Sequence, residues 1–532
     1  MKNWSVLLVS FFALVFLKQI LWMGLVPVWH FPDEQAHFSQ VQNMAFFAVS
    51  HGNTSDEIAM SEILLGTKRD QQGNNKFTHQ PWFTIPYSNS VSGVHEQTIT
   101  DLPKTYTTNL KVREATSYPF LYYSGSMLFY KLFASSSIIT RVYSVRFFSL
   151  LIFMATTWVV WQIGQLLFQN KFWALGLTTL VAFQPMFSFV GAGVTSDVLF
   201  NFFFTLFVYC CLKIIEKPKA QAWLYLFVII ILGQLTKQQM VVALIIALCL
   251  LPFRFTPIKQ LFCKKTASTI GLILLLSGFL AVAMIFGKAE YIYTFIQSGR
   301  NQNQQIFAIS LFEHIKFTLL HTYREVLPWY WGVFKWLGVV LPRWVNRVQM
   351  GILGITGFGL LWYLVQKVTN FFKTKKLSLF DQKILFLLFS ALAYYLALLL
   401  WDWQFRRAYN FSFGVQGRYY FPVIIAHMAL ILVSWRFLWQ QVFKKYSPNY
   451  VLVILGFWWL ILQIIGLRTI IVSYYDVSSW SIFLNQISQY KPWLFKSYSW
   501  YLWFSLAILA LVLFLRNFII TWRYEKNHKT NC

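Results

Sequence analysis

Charge is scarce in this 532-residue chain. Only 12% of residues are charged, and acidic side chains number 18 against 45 lysines and arginines. With 57% hydrophobic and 20% aromatic residues, there is too little polar surface for several soluble domains. The five cysteines, Cys210, Cys211, Cys249, Cys263 and Cys532, have no metal-like spacing, and none lies in the first long loop, which excludes a disulfide framework and a structural zinc site. No glycine-rich phosphate loop stands out, so nothing calls for a nucleotide. No internal repeat is visible beyond general hydrophobicity, which weighs against many transporter architectures.

What the chain has in quantity is long apolar runs. A helix crossing the hydrocarbon core needs about 20 apolar residues, because each backbone polar group must be satisfied within the segment. Thirteen segments qualify, near 5–25, 118–134, 147–168, 173–193, 197–215, 220–236, 238–253, 267–287, 349–366, 382–401, 419–439, 450–472 and 499–517. The fold class is therefore all-α integral membrane, a polytopic bundle of about 12–13 transmembrane helices. The first run lacks a small-x-small cleavage site and is read as a retained span.

The net charge of +27 would suggest nucleic-acid binding in a soluble chain, but here it sits in short clusters between apolar runs. Residues 213–219, 254–265, 373–376, 436–445 and the tail from Arg516 read as cytoplasmic loops. The segments 26–117, 289–348, 402–418 and 473–498 then face outward. Residues 31–117 hold six basic and nine acidic residues, half of all the carboxylates. Thirteen full crossings conflict with both termini being cytoplasmic. The short segment 118–134, with its Tyr, Gly, Ser and Lys131, is the weakest span, and the break at 233–240 is the other.

Adjacent carboxylates stand just past the first span, in HFPDEQAH at 30–37. Pro32 suits the first position of a helix, with Asp33 and Glu34 complementing the dipole in its first turn. Spacing places Phe38, Val41, Ala45 and Ala48 on one stripe below Glu34, and Asp33, His37 and Gln40 on another. Such a helix would lie on the membrane surface as one of the amphipathic interfacial helices of this loop, with Asp33 facing water or a cleft. There a carboxylate can act as a base. His30, Asp33, Glu34 and His37 are also metal-ligand types, but Pro32 separates His30 from the helix that carries His37.

Further along, Asp197 lies in VTSDVLF behind Thr195 and Ser196, where a Ser/Asp helix cap is the structural alternative to a functional carboxylate. Lys237 interrupts two apolar runs, a costly position that asks for a partner or a cavity. Arg406, Arg407 and Arg418 sit outward, against the positive-inside trend, and want an anion, with Gly417 allowing close backbone approach and Tyr419 and Tyr420 anchoring the next span. In 323–342 aromatic density suggests an interfacial lid, with Arg324 and Glu325 able to pair. An outward carboxylate and outward cations at one depth beside an apolar groove suit a substrate that is part lipid, part phosphate. The matching chemistry is sugar transfer from a polyprenyl phosphate, with Asp33 activating the acceptor hydroxyl and the cations stabilising the departing phosphate.

PDEQAHF, SYPFLYY, QPMFSFVGAGVTSDVLFN, the Lys237 break, WGVFKWLGVVLP and QGRYYFPV together resemble a bacterial membrane-protein family within the GT-C glycosyltransferase superfamily. The resemblance covers most of the chain. It implies a GT-C-like bundle in three parts: 1–288, a catalytic module with the outer loop 26–117; 289–348, an outer loop; and 349–532, a C-terminal module. It further implies a polyprenyl-phosphate-sugar donor, a glycan or lipid-linked acceptor, and a site on the outer face of the cytoplasmic membrane. Asp33, with Glu34 beside it, matches the catalytic acidic position. Asp197 resembles a second acidic residue at the outer end of a later span, and Lys237 and Arg418 resemble donor-phosphate ligands. At SYPFLYY, where paired prolines are common, only Pro119 stands. Some members use a divalent cation and others do not, so the resemblance leaves metal dependence open, and the sequence requires no other cofactor.

The reading is thus an inverting glycosyltransferase. The alternative is a transporter or flippase of a polyprenyl-linked or anionic substrate, which forms no covalent product. A scaffold in a polysaccharide assembly complex would leave Asp33, Lys237 and Arg418 dispensable. Acceptor choice is assigned to residues 50–115.

Overall fold

The computed structural model describes residues 2–45, 96–97, 100–101, 115, 118–248, 250, 307–335 and 337–530. The expected span at 267–287 and most of residues 50–115, expected to select the acceptor, lie outside the described residues. Among the described residues the regular structure is helical, with the short helices α10 (Leu311–His321) and α16 (Trp480–Ser488) beside the longer ones, apart from one two-residue antiparallel pairing, β1 (Val333–Phe334) with β2 (Val339–Val340).

Among the described residues eight helices are long and apolar enough to cross a membrane, fewer than the thirteen candidate segments. They include α1 (Lys2–Leu25), α4 (Ile138–Phe168), α7 (Ser196–Glu216), α12 (Arg343–Thr374), α13 (Leu379–Tyr409), α15 (Tyr450–Tyr474) and α17 (Ser499–Thr530). The eighth spans Gly417–Val442 and joins a 3-10 segment, Gly417–Val423, to α14 (Ile424–Val442). Side chains such as Phe358, Leu361 and Val365 on α12 are largely exposed, an outer surface suited to lipid rather than water.

The shortfall has local causes. Segment 118–134 yields only α3 (Leu121–Leu132); twelve residues at about 1.5 Å each fall well short of the bilayer core. Segment 173–193 breaks into α5 (Lys171–Ala182) and α6 (Pro185–Val190), where Pro185 starts a new helix and the Gln184 side chain caps it through Phe187 N–H. Lys18 meets the broken end from α1, donating to the Ala182 carbonyl at 2.7 Å and to Ser188 at 2.8 Å. Lys18 thus finds two hydrogen-bond acceptors within the membrane segment. The pair at 220–253 becomes α8 (Ala220–Gln234), a 3-10 turn at Gln238–Met240 and α9 (Val241–Leu248), with Lys237 extended between them.

Helix directions separate the two ends of the bundle. The N-terminus and the tail meet through Trp4 and Glu525, and Trp4 packs on Phe172 at the start of α5. Lys383 near the start of α13 joins Glu216 at the end of α7. The described basic clusters therefore share one end. At the other, Tyr475 and Lys491 donate to carbonyls of Leu25 and Val26, and the described parts of the segments expected to face outward gather there.

The helix after the first span differs from its sequence reading. α2 (Glu34–Ala45) begins one residue later than Asp33, and most of its residues are buried, including polar Gln35, Ser39 and Gln42. It packs against α3 inside the protein instead of floating on a membrane surface. Its apolar stripe was legible, but the ring of protein around its polar side was not.

Candidate functional site

Asp33 has φ of 55°, a left-handed conformation that aspartate tolerates better than most residues. It therefore ends a tight turn, and its carboxylate, about half exposed, projects from the start of α2. Arg418 reaches it from the 3-10 segment with Nη2 2.9 Å from Oδ2. The guanidinium also donates from Nε to Gln416 Oε1 at 2.9 Å and is itself 6% exposed at its side chain. Gly417 allows a close approach, but to protein: a Cβ there would lie 2.2 Å from Tyr330 N. The glycine seats Arg418 against α11 (Leu327–Trp331), correcting its reading as a ligand-approach position.

Asp197 and Lys237 form a second pair on the same cavity. Thr195 is the N-cap, accepting from Asp197 N–H at 3.3 Å, which leaves the Asp197 side chain free to meet Lys237. The cap therefore falls on Thr195 and not on the Ser/Asp pair that the sequence suggested, and Asp197 is an ion partner.

Asp33, His37, Asp197, Lys237, Arg418 and Tyr419 line one cavity of about 350 Å³. Tyr118 and Gln238 add polar lining; Val241, Val242, Leu398, Trp401 and Phe413 make the rest largely apolar. Two carboxylates face two cations, so the cavity is balanced in formal charge. His37 donates or accepts between Tyr123 Oη at 2.7 Å and Thr195 Oγ1 at 3.4 Å. Burial lowers its pKa to about 4, against the opposing pull of Asp33 and Asp197, so at neutral pH it acts as an uncharged hydrogen-bonding group.

Glu34 occupies a different world from its neighbour. It is fully buried and clasped by Arg146, Nε to Oε1 at 2.8 Å and Nη2 to Oε2 at 2.6 Å. Trp29 N–H and Val194 N–H complete its shell at 2.9 and 3.2 Å. The remaining Arg146 donors satisfy the carbonyls of Met23, Val26 and Pro27. This cluster ties the end of α1, the turn before α2 and the loop before α7 into one block. Glu34 has no face on the cavity, so its grouping with Asp33 as a catalytic residue is corrected: it holds the turn that presents Asp33.

The family model described as "Predicted membrane protein (DUF2142)" matches residues 16–427. This chain belongs to that family. No curated protein matches it in sequence. Among solved structures, it is similar to ArnT from Cupriavidus metallidurans in the apo state, at 13% identity and a TM-score of 0.40, over 97% of this chain and 78% of that one. It is also similar to the apo Archaeoglobus fulgidus oligosaccharyltransferase, at 14% identity and a TM-score of 0.42, over 89% of this chain but 56% of that one. Likeness of this degree assigns no activity.

The other arginines of this DUF2142 chain expected to face outward, Arg406 and Arg407, stand off the cavity lining. Arg406 lies over Phe317 at 4.3 Å with His314 Nδ1 3.4 Å from Nη1, and Arg407 lies over Trp403 at 5.2 Å. Both sit in the last turn of α13, where cations complement the helix dipole; their assignment to a donor phosphate is corrected accordingly. Glu325 pairs with His321 at 3.4 Å rather than with Arg324. His30 is buried against Tyr474, Nδ1 to Oη 3.2 Å, so the four-residue metal set does not assemble. Among the described residues no cluster of three His, Cys, Asp or Glu could hold a metal ion.

Arg146, Tyr394 and Trp401 were not singled out from the sequence, and Tyr118 entered only as part of SYPFLYY. Arg146 had a signal: an arginine inside RVYSVRFFSLLIF is costly in a membrane segment and needs a buried carboxylate. Tyr394 and Trp401 had none, because aromatics are common throughout the chain.

Proposed function

We propose that this protein is an inverting glycosyltransferase that uses a polyprenyl-phosphate-linked sugar and works on the outer face of a bacterial cytoplasmic membrane. The reading is carried by one observation: the Asp33–Arg418 and Asp197–Lys237 pairs share a single cavity with apolar walls. A half-exposed carboxylate suits an acceptor hydroxyl, the cations suit a phosphate, and the apolar wall suits the first isoprene units.

In this scheme the acceptor oxygen attacks the anomeric carbon as the bond from that carbon to the phosphate oxygen breaks. Asp33 takes the hydroxyl proton, and the polyprenyl phosphate leaves with the electron pair, its new charge met by Arg418 and Lys237. One displacement inverts the anomeric configuration. The arginine would loosen from Asp33 to reach the phosphate, which would free the carboxylate for its proton. The motif resemblance to the GT-C superfamily points the same way. Positive-inside placement of the basic end supports an outward-opening cavity.

The test is glycan and glycolipid analysis of a deletion strain complemented with wild type or with Asp33→Asn. A sugar missing from the deletion strain, restored by wild type and not by the variant, is the expected outcome. Purified protein that moves labelled polyprenyl-linked lipid across liposomes while forming no transfer product would replace this reading with a transporter.

A further inference from the structure

A second cavity, of about 470 Å³, opens at the opposite, basic end of the bundle, with its wall built from α4, α12, α13 and α14. It is lined by three cations, Lys367, Lys383 and Arg436, and by the amides of Gln169, Gln440 and Gln441 among others, while no carboxylate lines it. Two of the cations are already satisfied from behind. Lys367 holds Asp381 at 3.0 Å, and Lys383 holds Glu216 at 3.3 Å and the Leu166 carbonyl at 2.8 Å. Arg436 differs: its guanidinium lies over the Trp173 ring at 4.9 Å, which supports one face and leaves its edge donors for a ligand. Among the described residues no carboxylate pairs with it.

A planar fork of donors backed by an aromatic ring, with two ammonium groups nearby, fits a phosphate better than a carboxylate or a neutral headgroup. Depth favours one source of that phosphate. Lys367 precedes the end of α12 by seven residues, Lys383 follows the start of α13 by four, and Arg436 precedes the end of α14 by six. At about 1.5 Å per residue these side chains sit roughly 6–10 Å inside the helix ends, at headgroup depth rather than out in the connecting loops. Basic pockets between spans on the positive face are where anionic headgroups are held.

We propose that this pocket binds a phosphate group, supplied by the headgroup of an anionic lipid in the leaflet at the basic end. The site is separate from the Asp33 cavity and independent of the reaction assigned there. It would fasten α12, α13 and α14 to one another, since each contributes one of the cations.

The experiment is thermal unfolding of the purified full-length protein in neutral detergent, titrated with dioleoylphosphatidylglycerol, dioleoylphosphatidylcholine or inorganic phosphate. Phosphatidylglycerol should raise the midpoint saturably and phosphatidylcholine should not. The apparent affinity should fall at least tenfold in Arg436→Gln and in Gln440→Glu, the latter an exposed position whose new charge faces the pocket without disturbing the core. Lys373→Gln, exposed and outside the lining, should leave it unchanged. A saturable shift with inorganic phosphate, lost in the same variants, supports the phosphate site and assigns it a soluble source. Equal shifts from both lipids, no shift from any ligand, or undiminished affinity in both pocket variants would overturn the proposal.

Discussion

Asp33 and Glu34 are consecutive carboxylates with opposite surroundings, and the difference is set by one residue of helix phase. Asp33 stands before α2 in a left-handed turn, half exposed beside Arg418; Glu34 begins the helix and turns inward to Arg146. Their substitutions should therefore fail differently. Asp33→Asn removes a proton acceptor from a folded protein and should lower transfer by about 10²- to 10⁴-fold, measured with a radiolabelled polyprenyl-phosphate sugar, while its unfolding midpoint stays near wild type. Glu34→Gln strips the counter-charge from a buried guanidinium and should cost about 3–5 kcal/mol of stability. Thermal unfolding in detergent reads that loss, and a Glu34→Gln midpoint matching wild type would show that the clasp does not hold the turn. Sequence pointed to this dipeptide because acidic residues are so few. It could not say which of the two reaches the cavity, since Arg146 lies 112 positions away.

At the scale of elements, the decisive pieces are the short ones. The 3-10 segment that carries Arg418 leans on α11 through Gly417, where any side chain would strike the Tyr330 backbone. Gly417→Ala should displace Arg418 from Asp33 and raise the KM for donor by tenfold or more, with a smaller effect on stability; an unchanged KM would mean that the segment tolerates the shift. α2 and the turn before it supply a pH dependence. His30 and His37 are held to about 3 and about 4 by burial, against an ordinary 6.5. The unfolded chain takes up these protons as pH falls through about 6.5, whereas the folded chain does not, so stability should decline from about pH 6.5 towards pH 4. Unfolding midpoints across that range check the slope, and His37→Gln should flatten it. The break at Lys237 was visible as a lone charge, whereas the one at Pro185 falls inside a segment, 173–193, whose apolar run reads as a single span. The burial of α2 was not, because a mildly amphipathic pattern does not distinguish a membrane surface from a protein groove.

Across the whole molecule, the described basic clusters and the cavity that holds the Asp33–Arg418 and Asp197–Lys237 pairs stand at opposite ends of the bundle. The described basic clusters gather with both termini, while Asp33, Asp197, Lys237 and Arg418 gather at the other end. The positive-inside rule then predicts that the cavity opens away from the cytoplasm. In a cysteine-free background, Gln238→Cys should react with a membrane-impermeant maleimide in intact cells, and Lys375→Cys only after lysis; the reverse pattern would invert the protein and remove the outward site.

The sequence by itself determined a helical membrane chain, the segregation of its basic loops, and the few charged positions worth watching, because hydrocarbon tolerates neither unpaired backbone nor idle charge. Only the tertiary structure decided that Asp33 meets Arg418 and Asp197 meets Lys237, that Glu34 is locked away by Arg146, and that Arg406 and Arg407 stand apart. Those choices depend on helix rotation and on contacts between segments up to 385 residues apart, and local patterns of hydrophobicity carry no record of either.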